Sequence, residues 1–434
     1  MNVAGLIVEY NPFHNGHMYH LQESISHSGA DYTIAVMSGH FLQRGAPALV
    51  DKWCRASMAV AAGVDLILEL PYAYCAQSAE TFAHGAVSIL EATGMVTHLC
   101  FGSEEDTIDP MLVIAKFLAV EPPEYQSMLR EYLNIGHSYP AARQEALLRY
   151  RRDNSDIALK SVPANKLKDI MGKPNAILAI EYLKALFRSN STIQPVLIPR
   201  IGASYHDTTF SSGSIASATA IRTVLENSLQ EGSYNDVLTP LRSVMPPATV
   251  AVMQSAFNLG RGPVFSRDFS TIILSLLRRK NTVSLEGIAD IREGMEYRIQ
   301  QAAQKSGTLG EILQRSKTKR YPQTTLQRIM FHVLLGYTQK DASLFSDFGP
   351  QYIRVLGFSE KGQILLKQMK KSASLPILQR IAPALPRLAT NHPILERMLQ
   401  LDMNATDLYT LAFANPTERY SGQDMTHPVV RSPL

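Results

Sequence analysis

The first 110 residues alternate short apolar runs with segments whose apolar residues recur at helical spacing. Four apolar runs predict β-strands, VAGLIVEY from Val3, DYTIAVMSG from Asp31, VDLILELP from Val64 and VTHLCFGSE from Val96. The segments between them predict helices, GHMYHLQESISHS, VDKWCRASMAVAAG and SAETFAHGAVSILEATG, the last with Ser78 as its N-cap. This alternation predicts a doubly wound α/β fold with a parallel sheet, in which ligands bind at the C-terminal strand ends.

The remaining chain divides into three parts. Residues 111–190 carry apolar residues at i, i+3 and i+4 spacing, which predicts mainly helix. IQPVLIPRIG then predicts a strand, and SIASATAIRTVLENS a helix. We therefore predict an α/β domain over residues 1–225 with a helical insertion at about 111–190. SLQEGSYND predicts a linker, and residues 235–434 a mostly helical region without strand–helix alternation.

The composition is that of a globular protein with two or three domains. Of 434 residues, 45% are hydrophobic and 18% are charged. The most apolar stretch, ASMAVAAGVDLILELPYAY, is interrupted by Asp65 and Glu69, so we predict no membrane span. The three cysteines, Cys54, Cys75 and Cys100, lack metal-site spacing. With no secretory leader evident, we expect a cytoplasmic protein without disulfides.

Charge is distributed unevenly along the chain. Residues 1–225 hold 17 Lys and Arg against 21 Asp and Glu, a net of −4, and residues 226–434 hold 25 against 17, a net of +8. A basic second half favours RNA as its partner. An ordinary solvated surface also accommodates this excess, so charge alone leaves both interpretations open.

Three of the twelve histidines fall in EYNPFHNGHMYHL, directly after the first predicted strand. His14 and His17 flank Gly16 where a helix begins, and a helix N-terminus attracts anions through its free N–H groups and its dipole. Imidazoles there add donors for phosphate oxygens, and Gly16 lets a nucleotide approach the backbone. A metal site is disfavoured because the H-x-x-H-x-x-H run itself contains no carboxylate or thiolate. Histidines without a function are a second alternative.

A second helix start also predicts an anion site. SIASATAIR brings hydroxyls and free N–H groups to the start of a helix and Arg222 one turn further, which suits β- and γ-phosphates. An ordinary N-cap with a surface arginine remains the alternative.

Two loops at predicted strand ends complete the set. FGSEED offers Gly102 for close approach, with Ser103 and Glu104 for a nucleoside or a magnesium ion, or it is a simple turn. SGHFLQRGAPALVDKW supplies polar and cationic groups that could face an acidic second substrate, Gln43, Arg44 and Lys52.

HNGH after an N-terminal strand, with the late IASATAIR, resembles the nucleotidylyltransferase superfamily and its HxGH motif. Longer blocks resemble the bacterial tRNA(Met) cytidine acetate ligase family over nearly the whole chain, namely GLIVEYNPFHNGHMYH, SGHFLQRGAPALVDKW, GVDLILELPYAYCAQSAETFAHGAV, CFGSEED, PNAILAIEYLKAL, RIGASYHD and TKRYPQTTLQRI. The family often has Asn after SG, where this chain has His40, so the role of position 40 stays open.

The resemblance implies a Rossmann-like nucleotidylyltransferase domain followed by a helical tRNA-binding region. It implies a ligase that activates acetate with ATP as acetyl-adenylate, with magnesium expected. The enzyme would then acetylate N4 of the wobble cytidine of elongator tRNA(Met), giving N4-acetylcytidine. Acetate is ionised at neutral pH, so its attack on the α-phosphate needs positioning and charge stabilisation rather than a general base. Neither DNA nor a membrane is an expected partner.

The resemblance also assigns site residues, with metal ligands left unassigned. The predicted catalytic residues are His14, His17 and Arg222. The predicted ATP contacts are Ile7, Val8, Glu9, Tyr10, Asn11, Pro12, Phe13, His14, Asn15, Gly16, His17, Met18, Tyr19, His20, Gly102, Asn175, Arg200 and Ser217.

The basic second half predicts where tRNA binds. RSKTKRY supplies cations for tRNA phosphates, Arg315, Lys317, Lys319 and Arg320, and Tyr321 could stack on a base. Two other functions are compatible with the sequence. One is a nucleotidylyltransferase that acts on a small molecule, and the other is a non-catalytic, ATP-sensing RNA-binding protein.

Overall fold

The fold is taken from a computed structural model that describes residues 1–154, 156–200, 215–230, 237–385 and 392–432. Its strands are β1 (Val3–Val8), β2 (Tyr32–Ser38), β3 (Phe41–Leu42), β4 (Ala46–Pro47), β5 (Leu66–Leu70), β6 (His98–Ser103), β7 (Gln194–Pro199), β8 (Ile353–Phe358), β9 (Ile377–Leu378) and β10 (Val430–Arg431).

Helices cover the sheet and build most of the second half. They are α1 (Asn15–Ser28), α2 (Lys52–Ala61), α3 (Tyr72–Cys75), α4 (Ala79–Ala92), α5 (Asp109–Val120), α6 (Pro123–Asn134), α7 (Tyr139–Asp153), α8 (Ile157–Ser161), α9 (Ala164–Gly172), α10 (Pro174–Arg188), α11 (Ala218–Gln230), α12 (Pro247–Asn258), α13 (Ser270–Arg279), α14 (Thr282–Glu286), α15 (Met295–Gln304), α16 (Leu309–Ser316), α17 (Gln323–Leu335), α18 (Gln339–Phe348), α19 (Glu360–Ser372), α20 (Pro393–Thr410) and α21 (Gln423–Thr426).

The central sheet has the order β10–β8–β5–β2–β1–β6–β7, with β9 beside β8, while β3 and β4 form a separate hairpin. The five strands from β5 to β7 in this order are parallel, which confirms the predicted α/β class. Because helices cover both faces, these strands are nearly continuous apolar runs. Their C-terminal ends share one edge, with β1 in the middle.

Three strands of the second half, β8, β9 and β10, join this sheet. β8 pairs antiparallel with β5 and is followed at once by α19, whereas the sequence predicts no such alternation after residue 235. Its six residues are all buried, and a short, mostly apolar run of this length does not distinguish a strand from a buried helix. The second half is otherwise mostly helical, and the division into two domains stays a prediction.

The helices α5 to α10 lie between β6 and β7, where the helical insertion is predicted. The last of them, α10, packs on α4 and α5 and so begins beside the C-terminal end of β6. This arrangement brings Asn175, in the first turn of α10, to the edge where β1 ends.

A buried charge cluster joins the two halves. The ammonium of Lys52 on α2 lies 2.8 Å from Glu69 Oε1 on β5 and 2.9 Å from Asp424 Oδ1 on α21. Arg354 on β8 lies 2.7 Å from the same Asp424 oxygen. Burial raises the pKa of Asp424, but the charges of Arg354 and Lys52 outweigh it and hold that pKa well below its ordinary value.

Candidate active site

A pocket of about 270 Å³ opens at the C-terminal ends of β1, β6 and β7. It is lined by most of the residues that the sequence predicts for ATP and catalysis, namely Ile7, Val8, Glu9, Tyr10, Asn11, His14, Gly16, His17, Tyr19, His20, Gly102, Asn175, Arg200, Ser217 and Arg222. The other four predicted contacts, Pro12, Phe13, Asn15 and Met18, are not among its lining residues. Phe13 packs in the core, and the Asn15 side chain donates to the Ser243 carbonyl at 3.0 Å.

The two motif histidines form the N-terminal cap of α1. His14 Nδ1 accepts the Gly16 N–H at 3.0 Å, and His17 Nδ1 accepts the His14 N–H at 3.3 Å. An imidazole nitrogen that accepts an N–H bond carries no proton, so each neutral ring holds its proton on Nε2. The two rings lie with centroids 3.8 Å apart and both line the pocket. Cap formation thereby fixes both rings as neutral N–H donors at a helix N-terminus.

Burial keeps these imidazoles uncharged. It lowers the pKa of His14 to about 3, assisted by the charges of Arg200 and Arg222. It lowers the pKa of His20 to about 4, again with Arg200, and holds the pKa of His17 well below its ordinary range. His20 Nε2 is buried and has no hydrogen-bond partner among the described residues.

Gly16 is needed beside these rings. A Cβ at this position would lie 2.8 Å from Cε1 of His14, closer than real Cβ contacts come. A larger residue would therefore displace the ring that caps the helix. The glycine that the sequence assigns to nucleotide approach also makes room for His14.

The start of α11 faces the histidines. Ser217 Oγ accepts the Ala220 N–H at 3.0 Å and so caps this helix. Arg222 Nη1 donates to the Asn11 carbonyl at 2.9 Å, and its Nη2 donates to Thr219 Oγ1 at 3.2 Å. These bonds fix the guanidinium against the β1–α1 turn. The preceding residues 201–214, which include most of RIGASYHD, lie outside the described residues.

On the β6 side, the pocket is lined by Gly102, which has no side chain to block it, and by Asn175, whose amide is hydrogen-bonded to Glu104. Gly102 faces His20 and Arg200, and a Cβ there would lie 3.6 Å from His20 Cδ2. Glu104 does not line the pocket; it accepts from Asn175 Nδ2 at 2.5 Å and from the Ala176 N–H at 3.1 Å. The carboxylate thus orients Asn175 at the start of α10.

The apolar walls are not predicted by the sequence. They come from α4, β6, α10 and β7, and consist of Phe82, Phe101, Pro174, Leu178, Tyr182, Ile198 and Pro199. Each lies in a helix or strand segment whose apolar pattern predicts an ordinary buried core residue. Only the contact of α10 with α4 and β6 brings them to one cavity.

The β3–β4 hairpin closes the opposite side. Gln43 and Arg44 line the pocket as expected, and the Gln43 N–H donates to Glu9 Oε1 at 2.8 Å. Lys52 does not line it, because its ammonium is buried in the charge cluster described above. The hypothesis that Lys52 faces a second substrate is therefore wrong.

His40 also lies away from the pocket. Its ring packs 4.4 Å from that of Tyr409, and Nδ1 lies 3.3 Å from Thr406 Oγ1, both on α20. Burial first, then the charge of Lys52, holds the pKa of His40 well below its ordinary range. Position 40 thus contacts the C-terminal half of the chain.

Of the predicted tRNA contacts, Arg315 lies in the last turn of α16, and Lys317, Lys319 and Arg320 lie on the loop between α16 and α17. Arg315, Lys317 and Lys319 are exposed. Arg320 is exposed too, but its guanidinium pairs with Glu293 and donates to the Leu133 carbonyl at 2.8 Å. Tyr321 is half-buried and donates to the Arg292 carbonyl, so its hydroxyl is already bonded. This loop follows α16 and leads into α17, which packs against β4 of the hairpin beside the pocket.

Metal-binding groups and membrane spans are considered for the described residues alone. Among them, no group of three or more His, Cys, Asp or Glu side chains is arranged to hold a metal ion. Glu9 is the one carboxylate among them that lines the pocket. None of the described helices has the length and apolar character needed to cross a membrane.

Comparisons with known proteins cover the chain from end to end. A family model described as HIGH Nucleotidyl Transferase matches residues 1–424. A tRNA(Met) cytidine acetate ligase of Acetivibrio thermocellus is 44% identical over 431 residues, covering 99% of this chain and all of the relative. One of Halothermothrix orenii is 40% identical over the full length of both chains.

Two crystal structures of Thermotoga maritima TmcAL are also similar. The apo form superposes with a TM-score of 0.91 at 37% identity, and covers 99% of both chains. The form bound to alpha-thio ATP has a TM-score of 0.89 at 36% identity and the same coverage. These matches confirm the resemblance that the sequence blocks indicate.

Proposed function

We propose that this chain, which belongs to the HIGH nucleotidyl transferase family and, within it, to the tRNA(Met) cytidine acetate ligases, joins acetate to N4 of the wobble cytidine of elongator tRNA(Met) at the expense of ATP. The observation that carries the proposal is the pair of imidazoles, His14 and His17, which are held by the N-terminal cap of α1 and line the same pocket as Arg222. The proposal is also supported by relatives named for this activity, which match this chain over 99% or more of its length and over their own full length.

In the first step an acetate oxygen attacks the α-phosphorus of ATP and pyrophosphate leaves. The Nε2–H groups of His14 and His17 donate to phosphate oxygens at the positive end of α1. Arg222 and the N–H groups at the start of α11 take the leaving pyrophosphate. The donors are already oriented by the caps, so little reorganisation opposes the developing charge.

The nucleoside of ATP lies on the β6 side. Gly102 allows close approach, and Asn175, held by Glu104, and Arg200 bind its polar groups. The apolar walls around Phe101 and Leu178 cover the base. Ile7 and Val8 of β1, Tyr10 and Asn11 after it, and Tyr19 and His20 of α1 complete the contacts.

Magnesium is expected to enter with ATP. Mg²⁺ takes many of its ligands from substrate phosphate and water oxygens, and the described part of the chain contains no group of three or more His, Cys, Asp or Glu side chains arranged to hold it. The ion would neutralise triphosphate charge, and the chain's own contribution remains N–H donors and guanidinium groups.

In the second step the N4 amine of cytidine attacks the acyl carbon and AMP leaves. The target base must reach the pocket unstacked, as it can from an anticodon loop. A reaction on tRNA also supports the cytoplasm as its location.

One assay tests the proposal. The chain is incubated with ATP, magnesium, radiolabelled acetate and unmodified elongator tRNA(Met), without coenzyme A. We expect label in the tRNA as N4-acetylcytidine. Label in neither tRNA nor adenylate would refute the proposal. Adenylate formation with a small-molecule acceptor would favour the nucleotidylyltransferase alternative, and ATP binding without turnover the non-catalytic one.

We propose that the end of α16 and the α16–α17 loop contact tRNA phosphates through Arg315, Lys317 and Lys319, with Arg320 holding the loop. The double variant Lys317→Glu/Lys319→Glu should raise the Kd for tRNA about tenfold and make binding less salt-dependent, because fewer counterions are released. Filter binding at several salt concentrations measures both.

The matched control is Lys116→Glu/Lys168→Glu, which changes the net charge equally on exposed positions of the insertion. It should bind tRNA nearly as the parent chain does. If both double variants bind equally well, the tRNA site lies elsewhere.

A further inference from the structure

The pocket has two sides about its central strand. In the sheet order β2–β1–β6–β7, Gly102 and Arg200 lie on the β6–β7 side, and Asn175 joins them from α10. The β3–β4 hairpin, with Gln43 and Arg44, lies on the β2 side. Since the predicted nucleoside contacts lie on the first side, the hairpin side is left for the acyl acceptor.

Glu9 lies at the boundary between these sides, directly after β1. Its Oε1 accepts the Gln43 N–H at 2.8 Å, and its carbonyl accepts from Arg55 Nη1 at 2.7 Å. Its Oε2 receives no hydrogen bond from any residue in the described ranges. The carboxylate is half-buried and lines the pocket, so this oxygen is available to a substrate.

The second step needs a proton acceptor. The cytidine N4 lone pair is delocalised into the ring, so the amine must lose a proton as it bonds to the acyl carbon. His14 and His17 cannot accept it, because each Nδ1 already binds a backbone N–H and each Nε2 holds a proton. His20 lies beside Gly102 on the nucleoside side.

We propose that Glu9 is the general base of the transfer step. Oε2 accepts a hydrogen bond from the N4 amine and takes its proton as the N4–carbon bond forms and the carbon–oxygen bond to AMP breaks. The protonated carboxyl then returns the proton to water. This role rests on the proposed function, and it deepens that function by assigning the acceptor step to one residue.

The same contact selects the base. A carboxylate accepts from the N4–H of cytosine, a pairing that protein–nucleic acid complexes use. Uracil presents a carbonyl oxygen at this position, which has no proton to donate and faces the negative charge. Glu9 therefore explains how a cytidine is distinguished from a uridine in the same loop.

The test is Glu9→Gln, which keeps an oxygen acceptor for the Gln43 N–H but cannot take a proton. Single-turnover transfer from enzyme-bound acetyl-adenylate to tRNA should fall about 10²-fold or more, the usual contribution of a general base. Acetate-dependent pyrophosphate exchange should fall far less. Above pH 7 the variant's transfer rate should rise about tenfold per pH unit, because hydroxide replaces the base.

Two variants guard against a structural explanation. Glu9→Asp keeps a carboxylate and should retain more transfer than Glu9→Gln. Gln43→Ala loses the side-chain bond to the Gln77 carbonyl but keeps the N–H that Glu9 accepts, so it tests hairpin position alone. Thermal unfolding checks that each variant folds.

Equal losses in transfer and exchange would overturn the proposal, as would normal transfer by Glu9→Gln. Failure of the parent chain to acetylate tRNA at all would instead refute the proposed function. Failure of the base proposal therefore shows only in the Glu9 variants, whereas failure of the proposed function shows in the parent chain.

Discussion

Replacing His14 or His17 with alanine is expected to lower acetate-dependent pyrophosphate exchange by about 10²- to 10³-fold each, the usual cost of removing one oriented donor from a developing anion. The physical reason is that each ring is a fixed neutral Nε2–H donor at the start of α1. Affinity for tRNA should change little. A loss of tRNA affinity with normal exchange would mean that these rings face RNA.

The alanine variants also remove a helix cap, which costs about 0.5–2 kcal/mol of stability. His14→Asn separates the two effects, because asparagine caps helices well but cannot reproduce the reach of the imidazole. It should fold as stably as the parent and still lose exchange. His27→Ala, an exposed histidine at the end of the same helix, should leave exchange unchanged.

The lowered imidazole pKa values make the free energy of unfolding of the free enzyme depend on pH. The unfolded chain binds protons on these residues below about pH 6.5, whereas folded His14 and His20 bind them only near pH 3 and 4. The free energy of unfolding must therefore fall as the pH drops from about 6.5 toward 4. In His14→Asn this fall should be shallower by about 1.4 kcal/mol per pH unit, measured by denaturant titration.

The strand-to-helix turn at His14 is predictable because its determinants are local. An apolar run, a turn and a helix start are adjacent in sequence, and so are the two histidines that cap the helix. The same holds for the helix start at Ser217. Parallel pairing then brings separate strand ends to one edge, so the gathering of Gly102 and His14 follows from the alternation of elements.

Other parts of the site depend on contacts between distant segments. Phe82 and Tyr182 become pocket walls only because α10 packs on α4, and no local pattern distinguishes them from core residues. Lys52 is the clearest case. Its position in a charged, polar block suggests solvent or substrate, but its partner Asp424 lies 372 residues away. A sequence without known contacts cannot anticipate a pair of that separation.

Lys52→Met should therefore affect stability rather than the reaction. It removes the ammonium shared by Glu69 and Asp424. Asp424 keeps Arg354 at 2.7 Å, whereas buried Glu69 loses its nearest cation, which typically costs about 3–5 kcal/mol. Because Asp424 follows α20, we expect the attachment of the C-terminal segment to the sheet to weaken most. Denaturant unfolding measures the free energy, and hydrogen exchange locates the loss at α21 and β10.

The double variant Lys52→Met/Glu69→Gln also removes the carboxylate that has lost its nearest cation, and it should recover part of that loss, since the two residues act as one unit. Lys116→Met, on an exposed part of α5, should change the free energy of unfolding by about 0.5 kcal/mol at most. Where Lys52→Met remains folded, pyrophosphate exchange should persist, because Lys52 does not line the pocket. Lost exchange at unchanged stability would contradict this prediction.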